Sequence, residues 1–323
     1  MKVQSTMRAI ALQEIVEAQE TIKGYALRTP LIPLYCDSQW GKIYLKLENL
    51  QPTGSFKVRG ASNALAALKS EKLTKVYTAS AGNFAQGLAR NSGILGLDCS
   101  VVVPDHTPDV KTAAIEQYGG KVIRVPYDTW WNIMINHSHP GMEGKFIHSV
   151  AEPSVIAGNG TIGLEILEDL PDVDAVVVPY GGGGLITGIS SAIKSKKANV
   201  KIFAAEVETA APLSKALEVG EPAECEYRPS FVDCIGSRSV LNEMWPYVKK
   251  LVDSSLVVTL KQIADSMKLL ADRNHVIAEG GAAAPVSAAL NGSAGKGNIV
   301  CVISGGNIDK NIFSQILKNS IPT

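Results

Sequence analysis

Three times along this chain a run of β-branched residues ends in a glycine-containing turn and passes at once into a stretch of helical period. KVYTA (75–79) runs into SAGNF and AQGLARNSG, DAVVVPY (174–180) into GGGGLITGISSAIKS, and NIVCVIS (298–304) into GGNIDKNIFSQIL. Strand, tight turn and helix in that order are the units of an α/β sheet. In such a sheet the loops beyond the carboxyl ends of parallel strands gather at one crevice, and the helices that follow aim their amino ends at it. Further candidate strands are CSVVVP (99–104), KVIRVP (121–126) and VKIFAAE (200–206). Several runs are apolar on both faces, which predicts central strands of a largely parallel sheet covered by helices on both sides, a three-layer α/β fold. Three loops far apart in sequence are therefore expected to build one site.

Composition narrows the function without choosing it. A chain of 323 residues suffices for one large domain or two modest ones, and no repeat or low-complexity linker decides between them. Its 31 basic and 31 acidic residues cancel and form no long block of one sign, which argues against a broad nucleic-acid or anionic-membrane footprint. Cys36, Cys99, Cys225, Cys234 and Cys301 are widely spaced and suggest neither a zinc knuckle nor a redox couple. Reduced thiols in the cytoplasm are the default expectation. The opening stretch MKVQSTMRAIALQEIVEAQETIKG sets Glu14, Glu17 and Glu20 among apolar residues, so it reads as an amphipathic helix instead of an export signal. No run approaches the eighteen or so apolar residues of a membrane span.

Two segments carry chemistry. Gly181 to Gly184 contribute no side-chain packing and are costly in backbone entropy, so a backbone contact must justify them. Their N–H groups can close on a phosphate, aided by the donors and dipole of a helix beginning near Leu185. The other reading is a tight turn with no ligand. The loop lacks the Lys-Ser/Thr of a nucleotide P-loop and the spacing of the dinucleotide fingerprint, so a monophosphate fits it better than ATP or NAD. In YLKLENLQPTGSFKVRGASNALAALK, Pro52, Thr53 and Gly54 form a turn, after which Ser55 can cap a helix bearing Phe56, Lys57 and Val58 in its first turn. A positive helix end and apolar neighbours both disfavour a protonated Lys57, and a neutral amine attacks an aldehyde. An ordinary surface lysine with a solvated head is the alternative.

Together these segments resemble the fold-type-II pyridoxal-phosphate enzymes, the tryptophan-synthase-beta-like group, and within them the branch of threonine/serine dehydratases and serine racemases. The matching pieces are ENLQPTGSFKVRGA (48–61), TASAGNFAQGLA (78–89), IAGNGTIGLEI (156–166), GGGGLITG (181–188), AAE (204–206) and SGGN (304–307), in the family's order over about four-fifths of the chain. The resemblance implies a larger cofactor-binding domain from residues 1–66 and 154–323 and a smaller mobile domain, 67–153, that closes over the substrate. It implies that Lys57 holds pyridoxal 5'-phosphate covalently and later moves the α proton, and that Phe56 supports the ring. Asn83 would reach the ring's phenolic oxygen, Gly181, Gly182, Gly183, Gly184 and Leu185 would hold the phosphate, and Ser304 would face the pyridine nitrogen. Ser80, Ala81, Gly82, Asn83 and Phe84 would meet the substrate carboxylate and its surroundings. A homodimer with a small amino-acid substrate is also implied.

The departures matter for the reaction. Family racemases commonly carry a serine where this chain has Ala81, and alanine transfers no proton. Elimination of water and ammonia from L-threonine, L-serine or a related β-hydroxy amino acid is therefore expected, with racemisation as the alternative and a non-catalytic binding protein as a second. Phe84 stands where histidine is common and, with Trp130 and Trp131, leaves a bulkier substrate such as phenylserine open, although packing in a core explains the tryptophans more simply. Some relatives bind a cation through the acid ending AAE. Glu206 matches it and Ala210 offers a carbonyl, but Pro212 stands where a second acid is expected, so no metal is assigned. His137 and His139, with Glu143 nearby, read as solvent-facing loop residues. Cys301 reads as core. Glu279 in IAEGGAAAP resembles an acidic position near the cofactor nitrogen in relatives, and its spacing assigns it no role.

Overall fold

A computed structural model of the protein describes residues 8–68 and 73–322. Among them are ten strands: β1 (Leu31–Pro33), β2 (Gly41–Leu47), β3 (Lys75–Ala79), β4 (Asp98–Pro104), β5 (Lys121–Val125), β6 (Lys145–Phe146), β7 (Ala175–Pro179), β8 (Lys201–Val207), β9 (Ser254–Val258) and β10 (Gly297–Ile303). They form a six-stranded sheet in the order β1-β2-β10-β7-β8-β9 and a four-stranded sheet in the order β5-β4-β3-β6. Only β1 with β2 is antiparallel. The protein thus has a two-domain α/β architecture with mostly parallel sheets.

Burial on both faces of the large sheet follows from its sequence. In β7, Val177 faces a core shared with Ile299, Cys301 and Ile303 of β10 and with the alanines of the helix Gly280–Leu290. Its neighbours Val176 and Val178 face the opposite core, with Val300, Val302, Ile186 and Ile189. Successive strand residues point to opposite faces, so a strand lined by helices on both sides must be apolar throughout. The helices Pro153–Asp169 and Gly184–Lys196 cross so closely that a Cβ on Gly188 would lie 2.4 Å from the Ile156 carbonyl oxygen, and one on Gly163 would lie 2.7 Å from that of Ile189. The glycines of IAGNGTIGLEI therefore serve helix packing.

The six strands read from sequence appear within a residue of their expected bounds, but β1, β2, β6 and β9 are additional. In β2 the alternating Lys42 and Lys46 disguise a strand, because Lys46 is fully buried and its charge is met inside the protein. No helix among the described residues is long and apolar enough to cross a membrane. The opening helix runs Leu12–Thr21, and residues 1–7 of the stretch read as amphipathic lie outside the described ones.

Candidate active site

The chain segments after β2, β3, β7 and β10 converge. The Lys57 segment is tied to the loop after β10 by three backbone contacts: the Phe56 N–H donates to the Ser304 carbonyl at 3.0 Å, the Gly306 N–H to that of Gly54 at 2.9 Å, and Ser55 bridges Gly305. This fixes the start of the helix Lys57–Ala67, where the Lys57 N–H donates to Ser55 Oγ at 3.3 Å. Phe56, not Ser55, is the residue that precedes the helix and no side chain caps it, so the cap expected of Ser55 is reduced to that one contact from the turn. From there the side chain enters the cleft, and Nζ donates to the Ser149 carbonyl at 3.3 Å. The amine sits 5.1 Å from the Phe56 ring centroid and 5.8 Å from that of Phe84.

Burial pushes the Lys57 amine down to about 8, against the opposing pull of the Glu279 carboxylate. Burial disfavours the charged form, so a lysine moves down. In the cofactor-free protein, titration of selectively methylated Lys57 by carbon NMR is expected to give a midpoint near 8. About half the amine is then neutral at that pH, against under ~1% for a free lysine. A midpoint near the free-lysine value of about 10.4 would remove the basis for a ready nucleophile.

Glu279 is the residue whose role spacing left undefined. It precedes the helix Gly280–Leu290, and its N–H donates to the Gly305 carbonyl at 3.0 Å. Burial pushes its carboxyl up to about 7, while the hydrogen bond from Asn83 acts in the other direction. Asn83 Nδ2 stands 3.0 Å from Glu279 Oε1, and Asn83 Oδ1 accepts from Asn307 Nδ2 at 2.8 Å. The amide expected to meet a ligand is therefore held by protein partners here. Cys234, absent from the expected site, lies against the same corner: a Cβ on Gly281 would meet its Sγ at 2.4 Å.

The glycine loop has the properties of an anion cradle. Gly183 adopts φ +94°, and the first N–H turned back into the following helix is that of Thr187, which donates to the Gly183 carbonyl at 3.0 Å. The N–H groups of Gly182, Gly183, Gly184 and Leu185 meet no acceptor among the described residues. A ring of unpaired donors at a helix amino end calls for an external anion, which the plain-turn reading does not explain. Ser304 is 4% exposed, and its hydroxyl likewise has no partner among the described residues. A donor cradle for a phosphate, a poised amine for an aldehyde, an apolar ring beside it and a buried hydroxyl for a heteroaromatic nitrogen together fit pyridoxal phosphate.

The remaining expected residues fall as follows. Ser80, Ala81 and Gly82 form the half-buried loop before the helix Asn83–Leu95, with the Gly82 N–H near Ser80 Oγ. Phe84 is 1% exposed and belongs to the core of the smaller sheet with Ala85 and Leu88, so it is packing as much as a pocket wall. Trp130 packs against the small-sheet core, as expected, while Trp131 is exposed. Glu206 accepts from the N–H groups of Leu213 and Ser214 at 2.8 and 2.7 Å and from Ser255 Oγ at 2.5 Å, so both its oxygens cap the helix Pro212–Val219. The Ala210 N–H is bound to the Val207 carbonyl. His137 is not a plain loop residue. It is exposed, as expected, but ends the helix Tyr127–Asn136 at φ +54° and pairs with Glu243 at 3.4 Å, whereas Glu143 pairs with Lys75 and His139 is half-buried, its N–H donating to the Tyr77 hydroxyl. A recess of about 540 Å³, lined by Arg8, Glu14 and Asn63 among others, lies toward the far end of the Lys57 helix and away from this chemistry.

Known proteins resemble this chain over most of its length. A family profile described as pyridoxal-phosphate dependent enzyme matches residues 22–305. The L-threonine ammonia-lyase of Thermotoga maritima is 40% identical over 97% of this chain and 79% of its own length. The catabolic L-threonine dehydratase of Escherichia coli is 38% identical over 95% of this chain and 96% of its own. Among solved structures, maize serine racemase superposes with a TM-score of 0.86 at 29% identity, covering 97% of this chain and 98% of its own.

Proposed function

Because the chain belongs to the pyridoxal-phosphate dependent enzymes, we propose that it is a dehydratase, or ammonia-lyase, converting L-threonine, L-serine or a related β-hydroxy amino acid to a 2-oxo acid and ammonia. The observation that carries this reading is the supply of proton-transfer groups. Lys57 presents a desolvated amine, whereas Ala81 in the SAGN loop can neither take nor give a proton. The ammonia-lyase and dehydratase relatives support the same choice. The racemase reading has the likeness to maize serine racemase in its favour, but needs a second proton carrier where this chain has Ala81.

In this reading Gly181 to Gly184 and Leu185 hold the phosphate through the N–H groups described above, Phe56 lies against the ring and Ser304 faces its nitrogen. When bound, the cofactor supplies an aldehyde for the substrate amine and a ring that stabilises negative charge at the α carbon. Ser304, a hydroxyl and not a carboxylate, leaves that stabilisation moderate, which suits an elimination. Ser80 and the amino end of the helix Asn83–Leu95 hold the substrate carboxylate. Lys57 Nζ takes the α proton, its lowered basicity making the neutral form available near pH 8. The β-hydroxyl leaves as water, and hydrolysis returns that water as ammonia departs, so the net products are one 2-oxo acid and one ammonia.

The reading also takes residues 67–153 as a smaller domain that closes over the substrate, excluding water. The four-stranded sheet supports this, since all its strands lie between Lys75 and Phe146. It takes the protein to be a cytoplasmic homodimer, the first supported by five unpaired cysteines and the second by the family resemblance. The test incubates purified holoenzyme with L-threonine, L-serine and β-phenylserine and measures 2-oxo acid and ammonia. Equal amounts of both from threonine or serine are expected. Turnover confined to β-phenylserine would shift the substrate class, and no oxo acid from any of the three would overturn the reading.

A further inference from the structure

We propose that His148 is a positioning residue of this site: its neutral imidazole holds the turn 148–151, which presents the Ser149 carbonyl to the Lys57 amine and seats Val150 against the glycine cradle. The inference rests on the proposed reaction for what is positioned, and adds a residue that neither the motifs nor the resemblance singled out.

The geometry runs through one ring. His148 is 1% exposed, and its Nδ1 accepts from the N–H groups of Val150 at 3.0 Å and Ala151 at 2.9 Å. Two donors on Nδ1 demand a lone pair there, so the proton of the neutral ring sits on Nε2. The turn thus closed has two working surfaces. The Ser149 carbonyl is the one hydrogen-bond acceptor met by Lys57 Nζ among the described residues, at 3.3 Å. Val150 fills the space that side chains on the cradle would need, since a Cβ on Gly182 would lie 2.7 Å from Val150 Cγ2 and one on Gly184 would lie 2.7 Å from its carbonyl oxygen. Movement of this turn therefore displaces the amine's partner and the wall of the cradle together.

Outward from the cleft, the ring lies tilted against that of His137, with centroids 4.5 Å apart, and its Nε2 lies 3.9 Å from Glu243 Oε1. His137, His148 and Glu243 offer atoms within 4.8 Å of one another, a spacing that suits a metal ion. The two N–H donors decide against that use, because they keep the proton on the nitrogen a metal would need. His137 instead pairs with Glu243, whose carboxylate raises the pKa of the His137 imidazole, and His148 is the neutral buttress between that pair and Lys57. Burial first, then repulsion from His137, pushes the His148 imidazole down to about 4, which keeps it neutral across the working range.

The test separates the acceptor from the bulk of the ring. In His148→Asn the side-chain oxygen replaces Nδ1 as acceptor, in His148→Gln the oxygen lies further out, and in His148→Leu there is none. Hydrogen exchange of the Val150 and Ala151 amides is followed in the cofactor-free proteins. Pyridoxal-phosphate affinity, kcat and KM are measured in the loaded enzymes, with urea midpoints to correct for global stability. For Asn, exchange as slow as in the wild type and affinity and kcat within about threefold are expected. For Leu and Gln, exchange at least about tenfold faster, cofactor affinity about tenfold weaker and a lower kcat at little-changed KM are expected. Gln serves alone if Leu does not fold. Wild-type affinity and kcat in the folded Leu or Gln protein would overturn the inference, as would an Asn protein that fails as badly as they do. A wild-type protein that binds no pyridoxal phosphate would instead sink the proposed function, while the exchange comparison still judges the turn.

Discussion

Lys57→Ala is expected to lower turnover of the preferred β-hydroxy amino acid by about 10³- to 10⁴-fold while leaving the protein folded. The loss combines two roles of one atom. Nζ is the amine set between the Phe56 and Phe84 rings and lowered to about 8, and in the proposed reaction it is the group that takes the α proton. Its hydrogen-bond partner among the described residues is the Ser149 carbonyl, so its removal frees little else. The unfolding midpoint should therefore stay near that of the wild type, or rise, because a cleft amine with one partner is costly to keep desolvated. The donor cradle at Gly181–Gly184 remains, so the variant should still take up pyridoxal phosphate without fixing it covalently. Steady-state kinetics with a thermal melt check both halves. Turnover within tenfold of the wild type would show that another residue moves the proton.

Arg59→Met is expected to destabilise the protein by about 3–5 kcal/mol, seen as a fall in the melting midpoint of roughly 5–10 °C. Arg59 is 1% exposed and is met on every side. Nε and Nη2 donate to the two oxygens of Glu48 at 2.8 Å each, Nη1 and Nη2 to those of Glu165 at 2.6 and 2.9 Å, Nη1 also to Thr161 Oγ1 and Nη2 to the Leu27 carbonyl. Lys46, also fully buried, pairs with Glu165 at 2.6 Å and donates to the Thr29 carbonyl at 2.6 Å. Two cations and two carboxylates make a neutral cluster, which Asp169, 3.7 Å from Lys46, links outward to Arg28. Burial would pull the guanidinium's pKa down, but Glu48 and Glu165 outweigh it and raise it. Methionine fills the volume and leaves two buried carboxylates facing Lys46 alone. Arg59→Lys should recover only part of the loss, because an ammonium cannot engage both carboxylates in the planar forked geometry. Since Arg59 lies two residues beyond Lys57 on the same helix, activity should fall with stability. An unchanged melt would contradict this account of the cluster.

What was legible in the sequence was whatever depends on one segment at a time. The apolar runs of β7 and β10 declare buried strands because both faces are covered, and the glycine loop points to an anion because its four residues bring backbone donors and no side-chain packing of their own. Residues that depend on distant partners were less readable. Lys46, Arg59, Glu48 and Glu165 look like surface charges until three separate segments bring them together inside the protein. Glu279 sits at a helix start, where an acid is ordinary, and only burial beside Asn83 and Lys57 pushes it up to about 7. His148 gave no signal, since its role lies in two neighbouring N–H groups that only the folded turn aims at its ring. Phe84 drew attention as a departure at a motif, but a position beside a cleft is also a position in a core, and its ring lies largely in the latter.

The central claim is that Lys57 removes the α proton and the β-hydroxyl then departs, with no proton carrier at Ala81 to return the substrate inverted. Its most direct test is one time course of L-serine with holoenzyme in deuterium oxide, following pyruvate, ammonia, and the α-deuterium content and handedness of the remaining serine together. The account predicts pyruvate and ammonia in equal amounts, with the unreacted serine still L and largely undeuterated. D-serine accumulating with little ammonia would contradict it.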